Sequence, residues 1–381
     1  MGVRAAGLKR RNASATKSHI ETLESRLLLS TVSLSKPLTS SISTTGPASQ
    51  VLVGDLNGDG IPDLVTGSAG TAAVLGGFTA QVFLGASSGS FKPGNIVPTG
   101  GRAIALGDFN GDGKLDLATA AGVLPGNGNG GFGAAISGFT LPANTVPVSF
   151  FTGDFNGDSK LDLAMVTFTS ASGASPAKIG LGILIGNGNG TFQSAVTTTV
   201  ASGTNLNQSE AVFATGDFNG DGNLDVVSPF GVLLGNGKGG FTAPSSGLPV
   251  ASTPVSSAFA VGDFNGDGKL DLAMVPPGTA AGQIAILPGN GNGTFATPAS
   301  VVVNAGGGTV TALAAADVDG DGKLDLIAAT TQNGNSPAIN ILTGNGNNTF
   351  TAAQSLTPSA IPVALFTADF NGDKALDLLS V

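Results

Sequence analysis

The sequence contains no cysteine, no tryptophan and no tyrosine. Without cysteine, disulfides and thiolate zinc sites are excluded. The only histidine, His19, lies near the N-terminus. After residue 26 the only glutamate is Glu210 and the only arginine is Arg102. No histidine or cysteine there can activate the many Ser and Thr hydroxyls. Outside the aspartate clusters described below, Glu210 has no second carboxylate with which to form a glycosidase pair. An enzyme is therefore not expected. An acidic body with one arginine offers no surface for tracking phosphates, so nucleic acid is not an expected partner. The missing Trp and Tyr remove the usual stacking platforms for sugars, leaving only Phe. No stretch of 18 or more apolar residues occurs, and no transmembrane helix is expected. Charged residues are 11%, too few for a disordered polyelectrolyte, while 41% hydrophobic residues suffice for a core.

What the chain does have is aspartate in a single pattern. All 22 Asp fall in seven copies of D-x-[ND]-x-D-x-x-x-D. Positions 1, 3, 5, 7 and 9 of the first loop are Asp55, Asn57, Asp59, Ile61 and Asp63. In the second they are Asp108, Asn110, Asp112, Lys114 and Asp116, and in the third Asp154, Asn156, Asp158, Lys160 and Asp162. The fourth has Asp217, Asn219, Asp221, Asn223 and Asp225, and the fifth Asp263, Asn265, Asp267, Lys269 and Asp271. The sixth has Asp317, Asp319, Asp321, Lys323 and Asp325, and the seventh Asp369, Asn371, Asp373, Ala375 and Asp377.

The first aspartates are 53, 46, 63, 46, 54 and 52 residues apart. A period near 50 belongs to propeller-like repeats. Each loop ends in Leu-Asp-Leu or a close variant, whose alternation puts the ninth aspartate on the opposite strand face from its neighbours. A second motif, G-N-G-x-G-x-F, follows at Gly126–Phe132, Gly186–Phe192, Gly235–Phe241 and Gly289–Phe295, with variants at Gly85–Phe91 and Gly344–Phe350. Asn-Gly between apolar runs signals a hairpin. Each unit thus reads as four antiparallel strands, one propeller blade. The expected fold is all-β, a seven-bladed β-propeller of four-stranded antiparallel blades over residues 28–381. Residues 1–27 are a basic leader. Six Asn-Gly hairpins serve seven loops, so a strand within 28–45 (Thr31-Val32-Ser33-Leu34 alternates) is expected to close the ring.

Oxygen donors at positions 1, 3, 5 and 9 with a carbonyl at position 7 follow the logic of an EF-hand loop and suit Ca²⁺. Up to seven structural ions are expected. The alternative is that the carboxylates only cap turns through backbone N–H groups. After residue 26, ten Lys/Arg face 22 Asp and Glu210. Seven divalent ions nearly cancel that excess, so the acidity reads as metal-site charge. Asp319 gives the sixth loop an extra carboxylate. Ser159 and Lys374 replace the position-6 glycine, so weaker or distorted sites are expected in loops three and seven. The position-7 lysines are expected to turn their ammonium groups to solvent.

GDFNGDGKLDLA at Gly107–Ala118 and Gly262–Ala273, followed by the Asn-Gly motif, is similar to FG-GAP/VCBS-type repeats. That resemblance covers roughly residues 45–381. It implies the integrin-α-like seven-bladed propeller, with structural Ca²⁺ in the aspartate loops and ligand contacts on the opposite face. Leu23–Ser30 resembles the LEPR-XLL motif of bacterial extracytoplasmic proteins, with Ser25 where that family has Pro. The resulting expectation is a monomeric, secreted or cell-surface bacterial binding module for a protein or a glycan, or a purely structural surface protein.

Overall fold

The computed structural model describes residues 48–381 apart from 70–76, 137–138, 140–145, 173–174, 204–205, 207–212, 245–247, 250–257, 277–281, 303–307, 333–335 and 363. The leader, the closing strand expected within 28–45, the LEPR-XLL-like motif and Glu210 lie outside the described residues.

Among the described residues there is no helix, and every strand pairing is antiparallel between strands consecutive in sequence. The first sheet holds β1 (Ala48–Gly54), β2 (Asp63–Ala69), β3 (Phe78–Gly85) and β4 (Phe91–Pro98). The second holds β5 (Ile104–Gly107), β6 (Asp116–Thr119) and β7 (Gly122–Leu124). The third holds β8 (Val146–Gly153), β9 (Asp162–Thr169), β10 (Ala177–Leu184) and β11 (Val196–Gly203). The fourth holds β12 (Ala214–Gly216), β13 (Asp225–Ser228) and β14 (Gly231–Leu233). The fifth holds β15 (Phe259–Gly262), β16 (Asp271–Met274), β17 (Gln283–Leu287) and β18 (Ala299–Val302). The sixth holds β19 (Thr309–Ala316), β20 (Asp325–Gln332), β21 (Ser336–Gly344) and β22 (Phe350–Leu356). The seventh holds only β23 (Leu365–Ala368) and β24 (Asp377–Ser380).

Four sheets therefore carry the expected four strands. In the second and fourth sheets the Asn-Gly turn still closes, with bridges from Gly126 to Phe132 and Gly235 to Phe241, but no outer strand follows among the described residues.

In the first six sheets the strand that begins with the ninth aspartate is buried on both faces, and alternation along it divides its side chains between two neighbours. In β9, Leu163 and Met165 pack toward the second sheet, whereas Ala164 and Val166 pack toward the fourth. Burying a side chain of this size contributes about 1.5–3 kcal/mol. Clusters of this kind join each sheet to the next through the series. A further cluster brings Leu64 and Phe83 of the first sheet against Phe370, with Phe91, Phe366 and Leu379 around it. There Phe91 meets Phe370 edge to face, with ring centroids 6.1 Å apart.

Candidate metal-binding loops

Each aspartate loop joins the first two strands of its sheet, and its conformation is held by its own carboxylates. The first aspartate accepts the position-4 N–H on Oδ1 at 2.6–2.7 Å. Its Oδ2 accepts the position-6 N–H at 2.7–2.9 Å. The position-3 Oδ1 accepts the position-5 N–H at 2.8–3.1 Å. Position 5 in turn accepts the position-7 N–H at 2.8–3.0 Å, which fixes the peptide of Ile61, Lys114, Lys160, Asn223, Lys269, Lys323 and Ala375. The turn-capping role of these carboxylates is therefore present in every loop. Each carboxylate oxygen carries two lone pairs, so this capping does not by itself exclude a cation.

Position 6 sits in the left-handed region, with φ between 80° and 86° in the glycine loops. Ser159 (φ 63°) and Lys374 (φ 69°) adopt the same region. Loops three and seven are thus not distorted: they keep the shared hydrogen bonds and carry local strain, about 1–2 kcal/mol each.

The ninth aspartate behaves differently from the others. Asp63, Asp116, Asp162, Asp225, Asp271 and Asp325 are wholly buried. Each Oδ2 accepts the position-2 N–H of its own loop at 2.8–3.1 Å. Each Oδ1 accepts the N–H of the first glycine of the Asn-Gly hairpin at 2.7–2.8 Å, from Gly85, Gly126, Gly186, Gly235, Gly289 and Gly344. This carboxylate locks the aspartate loop to the hairpin of the same sheet. Sequence reasoning identified both motifs but not their connection. Asp377 keeps the Oδ2 bond, from Phe370, but among the described residues its Oδ1 receives only the Asn371 side-chain amide at 3.2 Å.

Burial raises the pKa of all seven ninth aspartates; backbone donors oppose it, and repulsion adds to it from the fifth and first carboxylates, or for Asp325 from Asp319 and Asp317. Asp225 is pushed up to about 6. Such crowding of uncompensated carboxylates is what a divalent cation relieves. In loop six, carboxylate oxygens of Asp317, Asp319 and Asp325 all lie within 4.8 Å of one another. An oxygen-only donor set of this charge and spread fits Ca²⁺. When bound, the ion supplies charge neutralisation and cross-linking of the loop.

The position-7 lysines do not extend freely into solvent. Lys114, Lys160, Lys269 and Lys323 reach back to the position-5 carboxylate at 3.7, 3.9, 3.7 and 2.8 Å. These half-exposed pairs add little stability. The Asp158 pKa is lowered by the Lys160 backbone N–H and the Asn156 side chain, with the Lys160 charge last, whereas the Asp321 pKa is lowered first by the hydrogen bond from the Lys323 ammonium.

Residue 2 of each loop anchors it to the next sheet. Phe109, Phe155, Phe218, Phe264 and Phe370 are buried, as expected for core. Phe109 stacks edge to face on Phe192, Phe155 on Phe241, Phe218 on Phe295 and Phe264 on Phe350. The loop-two, three, four and five carbonyls at this position accept N–H groups from Gly190, Gly239, Gly293 and Asn348 of the following hairpins, and Leu56 of loop one accepts from Gly130.

Among the described residues, no helix is long and apolar enough to cross a membrane. No curated protein matches the chain at a significant level. Solved structures similar to it include the following three. The Photorhabdus luminescens Tc holotoxin pore is 17% identical over 78% of this chain and 15% of its own, with a TM-score of 0.40. The Vibrio cholerae biofilm matrix protein Bap1 is 17% identical over 82% of this chain and 39% of its own, with a TM-score of 0.36. An Aleuria aurantia lectin bound to a fucosylated GlcNAc is 11% identical over 79% of this chain and 92% of its own, with a TM-score of 0.40. The chain thus spans only a minor part of the toxin and of the matrix protein. A model of FG-GAP-like repeats matches residues 55–119, 171–228, 263–328 and 317–380, each stretch containing at least one whole aspartate loop. These matches cover more than half of the chain, which belongs to the FG-GAP-like repeat family.

Proposed function

We propose that residues 28–381 form a seven-bladed β-propeller whose aspartate loops take up Ca²⁺, and that it serves outside the cytoplasm as a non-catalytic binding or adhesion module. The observation that carries this reading is the sevenfold repetition of one loop geometry, which in loop six brings three carboxylates within 4.8 Å of one another. The ring is supported by the contact of the first and last sheets through Phe91 and Phe370. Millimolar calcium outside the cell suits loops of this kind. An ion that binds only the folded chain stabilises it by mass action.

The test is thermal unfolding with and without chelator. EDTA is expected to lower the melting temperature, and Ca²⁺ but not Mg²⁺ at equal concentration to restore it. An unchanged transition in EDTA removes the metal from the proposal. Binding to a glycan array, competed by free sugar, would select the glycan as the ligand over a protein.

A further inference from the structure

Asn-Gly pairs recur along the chain, and the structure sorts them by what holds the glycine nitrogen. The Cγ of an asparagine is open to attack by the backbone nitrogen of the next residue. Glycine there leaves that nitrogen unshielded, because it has no Cβ. In each aspartate loop with Asn at position 3, the following glycine gives its N–H to the first aspartate at 2.6–2.7 Å. The second Asn-Gly pair of the hairpins is committed too: Gly130 donates to Leu56, Gly190 to Phe109 and Gly293 to Phe218. The first pair differs. Among the described residues nothing accepts the N–H of Gly128, Gly188, Gly237, Gly291 or Gly346, and each follows an exposed asparagine.

The residue just before the hairpin phenylalanine divides these five. In the second and fourth sheets it is Gly131 and Gly240. There Asn127 Oδ1 accepts the N–H groups of Asn129 and Gly131, both at 3.0 Å. Asn236 Oδ1 accepts those of Lys238 and Gly240 at 2.9 and 3.0 Å. A Cβ on Gly131 or Gly240 would stand 2.7 or 2.6 Å from the asparagine Nδ2, so glycine is what permits this orientation. Where threonine takes its place, Asn187, Asn290 and Asn345 instead donate Nδ2 to Thr191, Thr294 and Thr349 Oγ1 at 2.9 Å. Two N–H groups aimed at the amide oxygen stabilise the charge that develops on it when Cγ is attacked. A hydroxyl on Nδ2 gives no such help and ties down the leaving nitrogen.

The geometry points to Asn127 and Asn236 as sites of self-catalysed deamidation, a covalent modification that needs only water. The Gly128 nitrogen loses its proton to solvent and bonds to Asn127 Cγ. The Cγ–Nδ2 bond breaks, and Nδ2 takes up a proton and leaves as ammonia. Water then opens the cyclic imide at either carbonyl, giving aspartate or isoaspartate. One water enters and one ammonia departs, with no change of oxidation state. Gly237 acts on Asn236 in the same way. Isoaspartate lengthens the main chain by a methylene in the two turns whose Gly130 and Gly239 N–H groups hold the Leu56 and Phe155 carbonyls. The modification therefore acts on the junctions of the first sheet with the second and of the third with the fourth. The inference depends neither on a closed ring nor on a metal.

Ageing the folded full chain at neutral pH in heavy-oxygen water, followed by peptide fragmentation in a mass spectrometer, tests it. Asn127 and Asn236 are expected to deamidate at least about tenfold faster than Asn110, Asn129 or Asn187. Gly131→Thr is expected to slow Asn127 to the rate of Asn187. Thr191→Gly is expected to raise Asn187 to the rate of Asn127, so the proposal stays testable if either variant fails to fold. In the urea-unfolded chain these differences should vanish, because the turn no longer directs the N–H groups. Equal rates at Asn127 and Asn129 in the folded protein would overturn the assignment. So would rates that ignore both exchanges at the Gly131 and Thr191 positions. An Asn127 that stays intact in the folded chain but deamidates in urea would also overturn it, because the turn would then protect the amide.

Discussion

The five junctions between the first six sheets and the two junctions that flank the last sheet use the same sequence motif but different contacts. In the five, a glycine just before the loop receives the position-8 leucine of the next sheet. A Cβ on Gly54, Gly107, Gly153, Gly216 or Gly262 would lie 2.1–2.7 Å from Leu115, Leu161, Leu224, Leu270 or Leu324. Each of the five also has the backbone bond from the next hairpin to the position-2 carbonyl. At the sixth junction Ala316 replaces the glycine, and Leu376 is left exposed. At the junction of the last and first sheets Ala368 faces a loop whose position 8 is Pro62, and Gly89 donates to Ala86 within its own turn. The edge-to-face phenylalanine pair survives there alone. The difference shows that the aspartate loop by itself does not make a junction. The contacts come from the next hairpin: the last sheet has none among the described residues, and that of the first sheet bonds within its own turn.

The largest expected difference lies at position 2. Phe264→Ala removes a buried ring packed on Phe350, at a cost of about 3–5 kcal/mol. Val318→Ala at the sixth junction acts on a half-buried side chain and is expected to cost less than about 1.5 kcal/mol. Urea unfolding of the two variants measures both. Equal costs would erase the distinction between the junctions.

Next comes the glycine slot. Gly107→Ala places a methyl group 2.1 Å from Leu161 Cδ2, an overpacking worth about 1–3 kcal/mol. Leu161→Ala in the same chain should relieve that clash, giving a coupling above about 0.5 kcal/mol in a double-mutant cycle. Ala316→Gly with Leu376→Ala should show no such coupling. Coupling at the second pair would mean that Leu376 seats on the sixth sheet after all.

Some of this organisation was readable in advance. The aspartate loops, the Asn-Gly turns and the buried position-2 phenylalanines follow from residue types at fixed short spacing. So does the ninth carboxylate turning back on its loop, because a two-residue period decides the face. The bond from Asp162 Oδ1 to Gly186 was not readable, since local pattern does not say which hairpin turn returns to which strand. Nor was the fit of Leu161 on Gly107, which depends on how two sheets stack and not on either one alone. The reach of Lys323 back to Asp321 follows from a flexible side chain beside a crowded carboxylate cluster, which spacing does not encode.

The ninth aspartates also separate the two regions by pH. Burial raises their folded pKa, so the metal-free fold holds its protons more tightly than the unfolded chain. Their contribution is complete below the unfolded value and is lost as pH rises through the folded one, near 6 for Asp225. In EDTA, stability is therefore expected to rise between pH 7 and pH 5. With Ca²⁺ the trend reverses, because protons compete with the ion. Asp225→Asn should flatten the EDTA profile more than Asp377→Asn, since Asp377 is only half-buried. The reverse order in a pH series of melting temperatures would contradict the comparison.

The smallest effect asks whether strain in loop seven belongs to the loop or to its sheet, two-stranded among the described residues. Ser159 and Lys374 hold nearly the same positive φ, 63° and 69°, one in a four-stranded sheet and one in the last. Replacing each with glycine removes a left-handed penalty of about 1–2 kcal/mol. Glycine returns about 0.5–1 kcal/mol of that as unfolded-chain entropy. Both variants should therefore gain about 0.5–1 kcal/mol, and the two gains should be equal. The position-6 N–H bond to the first aspartate is the same length within 0.1 Å in the two loops, 2.8 and 2.7 Å, which is why equality is expected. A clearly larger gain for Lys374→Gly would show that the last sheet pulls its loop out of the shared geometry in solution. The weakness of that region would then lie in the loop as well as at its edge.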